Sequence, residues 1–101
     1  MIIYNVTISL VDPTIQEEWL LWMKTKHIPD VMNTGCFLNN KICKLMVDDE
    51  ITYAIQYTCK DLATLEKYQT EFSPSLQTEH TEKYRGKFGA FRSLLEIVHE
   101  Q

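Results

Sequence analysis

Glycine is scarce in this sequence, three in 101 residues, and Gly35, Gly86 and Gly89 do not make a glycine-rich turn after a strand. That leaves no phosphate-binding loop and no nucleophile elbow. Proline is as rare, and no glycine-, proline- or serine-rich tract marks a linker, so residues 1–101 read as a single domain. The three cysteines, Cys36, Cys43 and Cys59, are an odd count without a CxxC spacing. Each sits in an apolar, strand-like stretch and is expected to be a reduced core thiol. His27, His80 and His99 are isolated, whereas a zinc site needs close ligand pairs. No metal and no other cofactor is expected. Basic residues are outnumbered by acidic ones, ten to fourteen, and are dispersed, so there is no electrostatic footprint for nucleic acid. Met1 to Leu10 alternates apolar and polar residues, lacks a basic start and holds no apolar run long enough for a signal peptide or membrane span. The expectation is a cytoplasmic protein with no membrane contact.

What is present is apolar surface. Hydrophobic residues make up 45% of the chain, enough to fill a core. A domain this small still leaves much of its surface exposed, so association with a partner would help it.

Along the chain, Ile2, Tyr4, Val6, Ile8 and Leu10 share one parity and Ile3, Asn5, Thr7 and Ser9 the other, which predicts a strand with two unlike faces. Asp12-Pro13 reads as a helix N-cap and first helical position, with Glu17 and Glu18 near the positive end of the dipole. Ile15, Trp19, Trp22 and Met23 form the apolar stripe of this helix. Pro29 disfavours helical geometry at Ile28. The helix is therefore expected to stop or kink after His27, make one more turn through Val31 and Met32, and end at Gly35. Cys36 to Val47 and Ile51 to Cys59 read as strands joined through Asp48, Asp49 and Glu50. Asp61 caps a second helix whose stripe of Leu62, Leu65, Tyr68, Phe72 and Leu76 continues to His80 and Tyr84, with a bend at Pro74. Phe88 to Val98 is the last strand.

The order strand, helix, strand, strand, helix, strand predicts an α+β, ferredoxin-like βαββαβ sandwich: a four-stranded antiparallel sheet, order 4-1-3-2, with two helices on one face. Ile3, Asn5, Thr7, Thr52, Ala54, Gln56, Arg92, Leu94 and Glu96 are assigned to the other face, too apolar for open solvent and too polar for a sealed core. Such a face suits a homodimer interface across a two-fold axis, with Asn5, Gln56 and Arg92 as neighbours within it. The alternative is a face simply left to water.

This layout, together with Trp19, Trp22, His27-Ile28-Pro29 and Gly35-Cys36-Phe37, resembles the dimeric α/β-barrel superfamily, including EthD-like proteins and antibiotic-biosynthesis-type monooxygenases. More closely, Trp19 to Val31, Tyr53-Ala54-Ile55-Gln56-Tyr57 and Phe91-Arg92-Ser93-Leu94-Leu95-Glu96 are similar to a bacterial family of short domains of unknown function. The resemblance implies a homodimer whose two sheets form a barrel, often with a pocket between each sheet and its helices. It selects no reaction, because the superfamily includes cofactor-free oxygenases, haem degraders, isomerases and proteins with no known catalysis.

The candidate site residues are few. His27, at the expected elbow, is placed to titrate near neutrality and to act as a general base beside Trp22 or Trp19, or else to cap a helix C-terminus. His80, on the apolar stripe, is a second catalytic candidate, or a core histidine held by Glu79 or Glu82. Trp22, Tyr53 and Tyr57 are candidate ligand contacts, or core packing. Two functions follow: a non-catalytic, small-ligand-binding dimeric module, or a cofactor-free monooxygenase or isomerase acting on a small aromatic or carbonyl compound with His27 as base. A pocket beside His27 holding a second polar group favours the enzyme; tight apolar packing around both histidines favours the module.

Overall fold

A computed structural model describes all of residues 1–101. It contains β1 (Ile2–Leu10), α1 (Gln16–Trp22), α2 (Ile28–Met32), β2 (Asn39–Lys44), β3 (Ile51–Cys59), α3 (Leu62–Glu71), α4 (Ser73–Lys83) and β4 (Phe88–Glu96). The strands form one antiparallel sheet in the order β2-β3-β1-β4, the order expected from the sequence. No helix is long and apolar enough to cross a membrane.

The helices form two arms, each broken once near a proline. Asp12 caps the first, its Oδ1 accepting from the Thr14 backbone N–H at 2.9 Å. Beyond α1 the arm does not stop at His27 but makes the expected further turn through Val31 and Met32, with its irregularity before His27 and not after it. Met23–His27 forms a π turn, with the Ile28 N–H donating to the Met23 carbonyl, and the helix continues as α2. Ile28 keeps helical dihedrals, φ -63° and ψ -44°, despite Pro29. The wider turn absorbs the proline, whose ring would otherwise press on a carbonyl one turn back. Helix α2 ends at Met32, and the turn after it closes at Gly35, whose φ of 77° suits glycine. His27 therefore lies inside a helical arm and caps no C-terminus, contrary to one of its expected roles.

In the second arm the Asp61 carboxylate accepts from the Thr64 N–H at 2.8 Å, and the helix breaks at Phe72 ahead of Pro74. Leu62, expected on its buried stripe, is exposed. Strand β2 is shorter than the apolar run suggested, because β3 offers partners only for the stretch around Asn39–Lys44. Strand β4 stops at Glu96, short of the expected Val98. Cys36 and Cys59 are buried thiols, but Cys43 is exposed, a correction to its expected core position.

The core lies between sheet and arms. Trp19 and Ile55 are fully buried at its centre, and Phe37 packs on Tyr68 and Tyr57 at 4.7 and 5.1 Å between ring centroids. On the open face Asn5 is the hub of a polar row: it accepts from Gln56 Nε2 at 3.2 Å and donates to Thr7 at 3.1 Å and Ser93 at 3.4 Å.

The main correction concerns β4. Register pairs Asn5 with Ser93 and Val6 with Arg92, while Val6 also pairs with Ile55. Phe91, Ser93 and Leu95 thus share the open face with Asn5 and Gln56, and Arg92, Leu94 and Glu96 share the helix side. The misassignment has a physical source: β4 is an edge strand only partly roofed by the arms, so both of its faces mix polar and apolar residues and neither parity stands out.

Ile55→Ala, at the fully buried centre, is expected to cost about 2 to 5 kcal/mol in urea unfolding at fixed protein concentration. Met46→Ala, at a hairpin tip, should stay within about 0.5 kcal/mol; a comparable loss at both positions would contradict this core.

Candidate functional site

The arms do not close fully on the sheet. A cleft of about 40 Å³ remains between β1, β3 and β4 below and the π turn, α2, α3 and α4 above. Its walls are mainly apolar, including Val6, Ile8, Met23, Leu76 and Phe88, and the polar groups converging on it are His27, His80, Tyr57, Tyr68, Gln77, Thr81 and Arg92. Gln77, His80 and Thr81 come from one face of α4, at helical spacings of three and four.

His80 is held by Trp19, not by Glu79 or Glu82. The indole Nε1–H donates to His80 Nε2 at 3.0 Å in a buried bond. An imidazole that accepts at Nε2 carries its hydrogen on Nδ1 when neutral, so His80 holds a donor that no protein group takes up. Burial, together with the charges of His27 and Arg92, pushes its pKa down to about 4. The ring stands edge-on to Phe88 at 4.3 Å.

His27 closes the π turn, a helix irregularity that recurs at functional sites. Its ring stacks on Trp22 at 5.3 Å and lies 5.6 Å from His80. Its Nδ1 is buried and has no hydrogen-bond partner. Burial lowers its pKa, with Lys26 and Arg92 adding to that and Glu79 and Asp30 opposing it. Burial also raises the phenols of Tyr57 and Tyr68, so both stay protonated. With the histidines neutral, Arg92 is the one formal charge on the cleft lining.

Of the residues singled out from sequence, the fold brings His27, His80 and Tyr57 to the cleft. Trp22 stands behind His27, with the Lys83 ammonium 5.7 Å from its ring, and does not line the cavity. Tyr53 also stays outside: it packs on Trp19 at 5.1 Å and its hydroxyl accepts from Gln16 at 2.9 Å. Asn5 and Gln56 lie on the far side of the sheet. Arg92, expected with them, belongs to the cleft. Tyr68, Gln77 and Thr81 were missed as site residues, although the spacing of 77, 80 and 81 already put Gln77 and Thr81 on the face of His80.

Residues 1–98 match the model of a domain of unknown function, DUF4286. No curated protein matches the sequence. Among solved structures, the chain is similar to a dimeric ferredoxin-like protein from an uncultured marine organism, with TM-score 0.75 and 10% identity over 100% of this chain and 98% of that one. It is also similar to an ethyl tert-butyl ether D (EthD) family protein from Bacillus halodurans, with TM-score 0.68 and 10% identity over 96% and 100% of the two chains. A third is a variant of SnoaB, a cofactor-independent oxygenase from Streptomyces nogalater, with TM-score 0.69 and 12% identity over 98% and 95%. At these identities the likenesses show the fold alone.

The histidines give the fold a pH dependence. Their folded pKa values lie below the unfolded value near 6.5, so the unfolded state binds more protons on acidification. The stability that these histidines contribute is full above about pH 6.5 and is lost as the pH falls towards the folded His80 value of about 4. His80→Gln should flatten the fall in Tm between about pH 6.5 and 4.5; an unchanged slope would remove His80 as its source.

Proposed function

The chain belongs to the DUF4286 family, a domain of unknown function, and we propose that it acts as a cytoplasmic homodimer binding a small carbonyl-bearing or aromatic compound in the cleft, without transforming it. The observation that carries this reading is a pair of imidazoles lining one cleft, 5.6 Å apart, each with an Nδ1 that no protein group partners. Unpaired polar groups on the lining of a mainly apolar cleft are what a small ligand would engage. Binding is favoured over turnover because neither histidine is oriented by a carboxylate and no nucleophile stands beside them. A second reading has specific support: a neutral imidazole with a free nitrogen, in a cleft that also carries Arg92, suits a general base, which would make the protein a cofactor-free oxygenase or isomerase using His27.

A thermal-shift screen against small aromatic, quinone and carbonyl compounds should give ligands that raise Tm, by about 2.7 kcal/mol of stabilisation at a hundredfold excess over Kd. The shift should vanish in Ala90→Val, whose two added methyl groups take up much of the cleft from β4 and suit a strand, leaving the sheet folded by circular dichroism. Recovery of the ligand unchanged after aerobic incubation supports the module. A product that disappears in His27→Gln establishes the enzyme instead.

The homodimer rests on the open face, where Phe91 and Leu95 are exposed beside the Asn5–Gln56–Ser93 row, and on the dimeric description of a neighbouring structure. Phe91→Glu is expected to weaken the dimer by at least about a hundredfold in sedimentation equilibrium, since two-fold symmetry counts each burial twice. A wild-type chain that stays monomeric at high concentration would exclude the interface.

A further inference from the structure

We propose that the cleft selects organic monoanions, small carboxylates or acids of comparable strength, with the Arg92 guanidinium receiving the negative charge at the mouth. The inference rests on the ligand-binding reading above and adds the class of ligand.

The argument begins with charge. Acidic residues outnumber basic ones in this chain, yet the only charged residue lining the cleft is an arginine, and no Asp or Glu lines it. The nearest acids that act on the site, Asp30 and Glu79, are engaged by Lys26, directly in the first case and at 3.8 Å in the second. Arg92 itself makes no ion pair and no side-chain hydrogen bond. Its five N–H donors form a planar fork suited to a carboxylate.

Placement supports the same ligand. Phe88, Ala90 and Arg92 alternate along β4 and face the cleft, and the small Ala90 leaves the space between the phenyl ring inside and the guanidinium outside. A short acid can lay its carbon chain over Ala90 towards Phe88 and leave its carboxylate at Arg92. The free Nδ1–H of His80 adds a neutral donor inside for a carbonyl or hydroxyl oxygen. A cationic ligand would meet Arg92 with no compensating acid. A polyanion such as a phosphate monoester would find one cation where it needs several. The plain alternative is an arginine extended into water from an edge strand, and it predicts no discrimination between ligands by charge.

The test uses two pairs that differ in charge and hardly in shape, and are small enough for the cleft: acetate against acetamide, and propanoate against propanamide. Binding is followed by ligand-observed NMR titration of the wild-type, Arg92→Gln and Arg92→Lys proteins. Wild type should prefer each acid by about tenfold, as one charge-assisted contact at a partly solvated site provides. Arg92→Gln should abolish the preference by weakening the acids alone, and Arg92→Lys should retain part of it. If acid and amide bind equally and neither variant changes this, the anion selectivity is wrong while the ligand-binding cleft stands. If none of the four compounds binds, or if Ala90→Val binds them as well as wild type, the ligand-binding reading fails and takes this inference with it.

Discussion

One buried hydrogen bond, Trp19 Nε1–H to His80 Nε2, ties the two helical arms together above the sheet. Trp19 is fully buried and His80 nearly so, which makes either partner costly to leave unmatched. The bond also determines the chemistry of the cleft. It consumes the basic nitrogen of His80 and holds the ring in one tautomer and one orientation. It contributes to keeping the imidazole neutral, since a protonated ring could no longer accept from the indole. What the cavity presents to a visitor therefore depends on a tryptophan that does not line it.

The sheet separates two tasks. Its helix side carries the cleft, while its open side carries a row of hydrogen-bonded amides and hydroxyls flanked by Phe91 and Leu95. Because side chains alternate along each strand, Arg92 and its neighbours Phe91 and Ser93 serve opposite faces. A one-residue register slip in β4 would exchange the two roles, sending the cation to the open face and a phenyl ring into the cavity.

Much of the fold was legible in the sequence because its signals are strong. The parity of β1 and β3, the caps at Asp12 and Asp61 and the stop at Gly35 all operate locally, and each element lies where they put it. β4 was not legible in the same way, because an edge strand wet on both sides loses the contrast that parity reads. The site was half legible: His27, His80 and Tyr57 stood out as titratable or polar residues in apolar runs, whereas Tyr53 and Trp22 looked equivalent and turned out to be walls behind walls. The continuation of the first arm past His27 was encoded too. Its buried residues Ile15, Trp19, Met23, Ile28 and Val31 step by four, four, five and three, and the five marks the π turn more directly than Pro29 does.

That widened turn also constrains how the arm can vary. Each helical residue advances the side-chain direction by about 100°, so the extra residue at Met23–His27 is what brings Ile28 and Val31 back over the sheet after Trp19 and Met23. The arm thus carries a phase correction halfway along its length. Its exposed positions, Lys24 and Thr25, can change as long as the count is kept, but losing or gaining one residue on either side would swing the downstream half out of step and turn the imidazole of His27 away from its cavity.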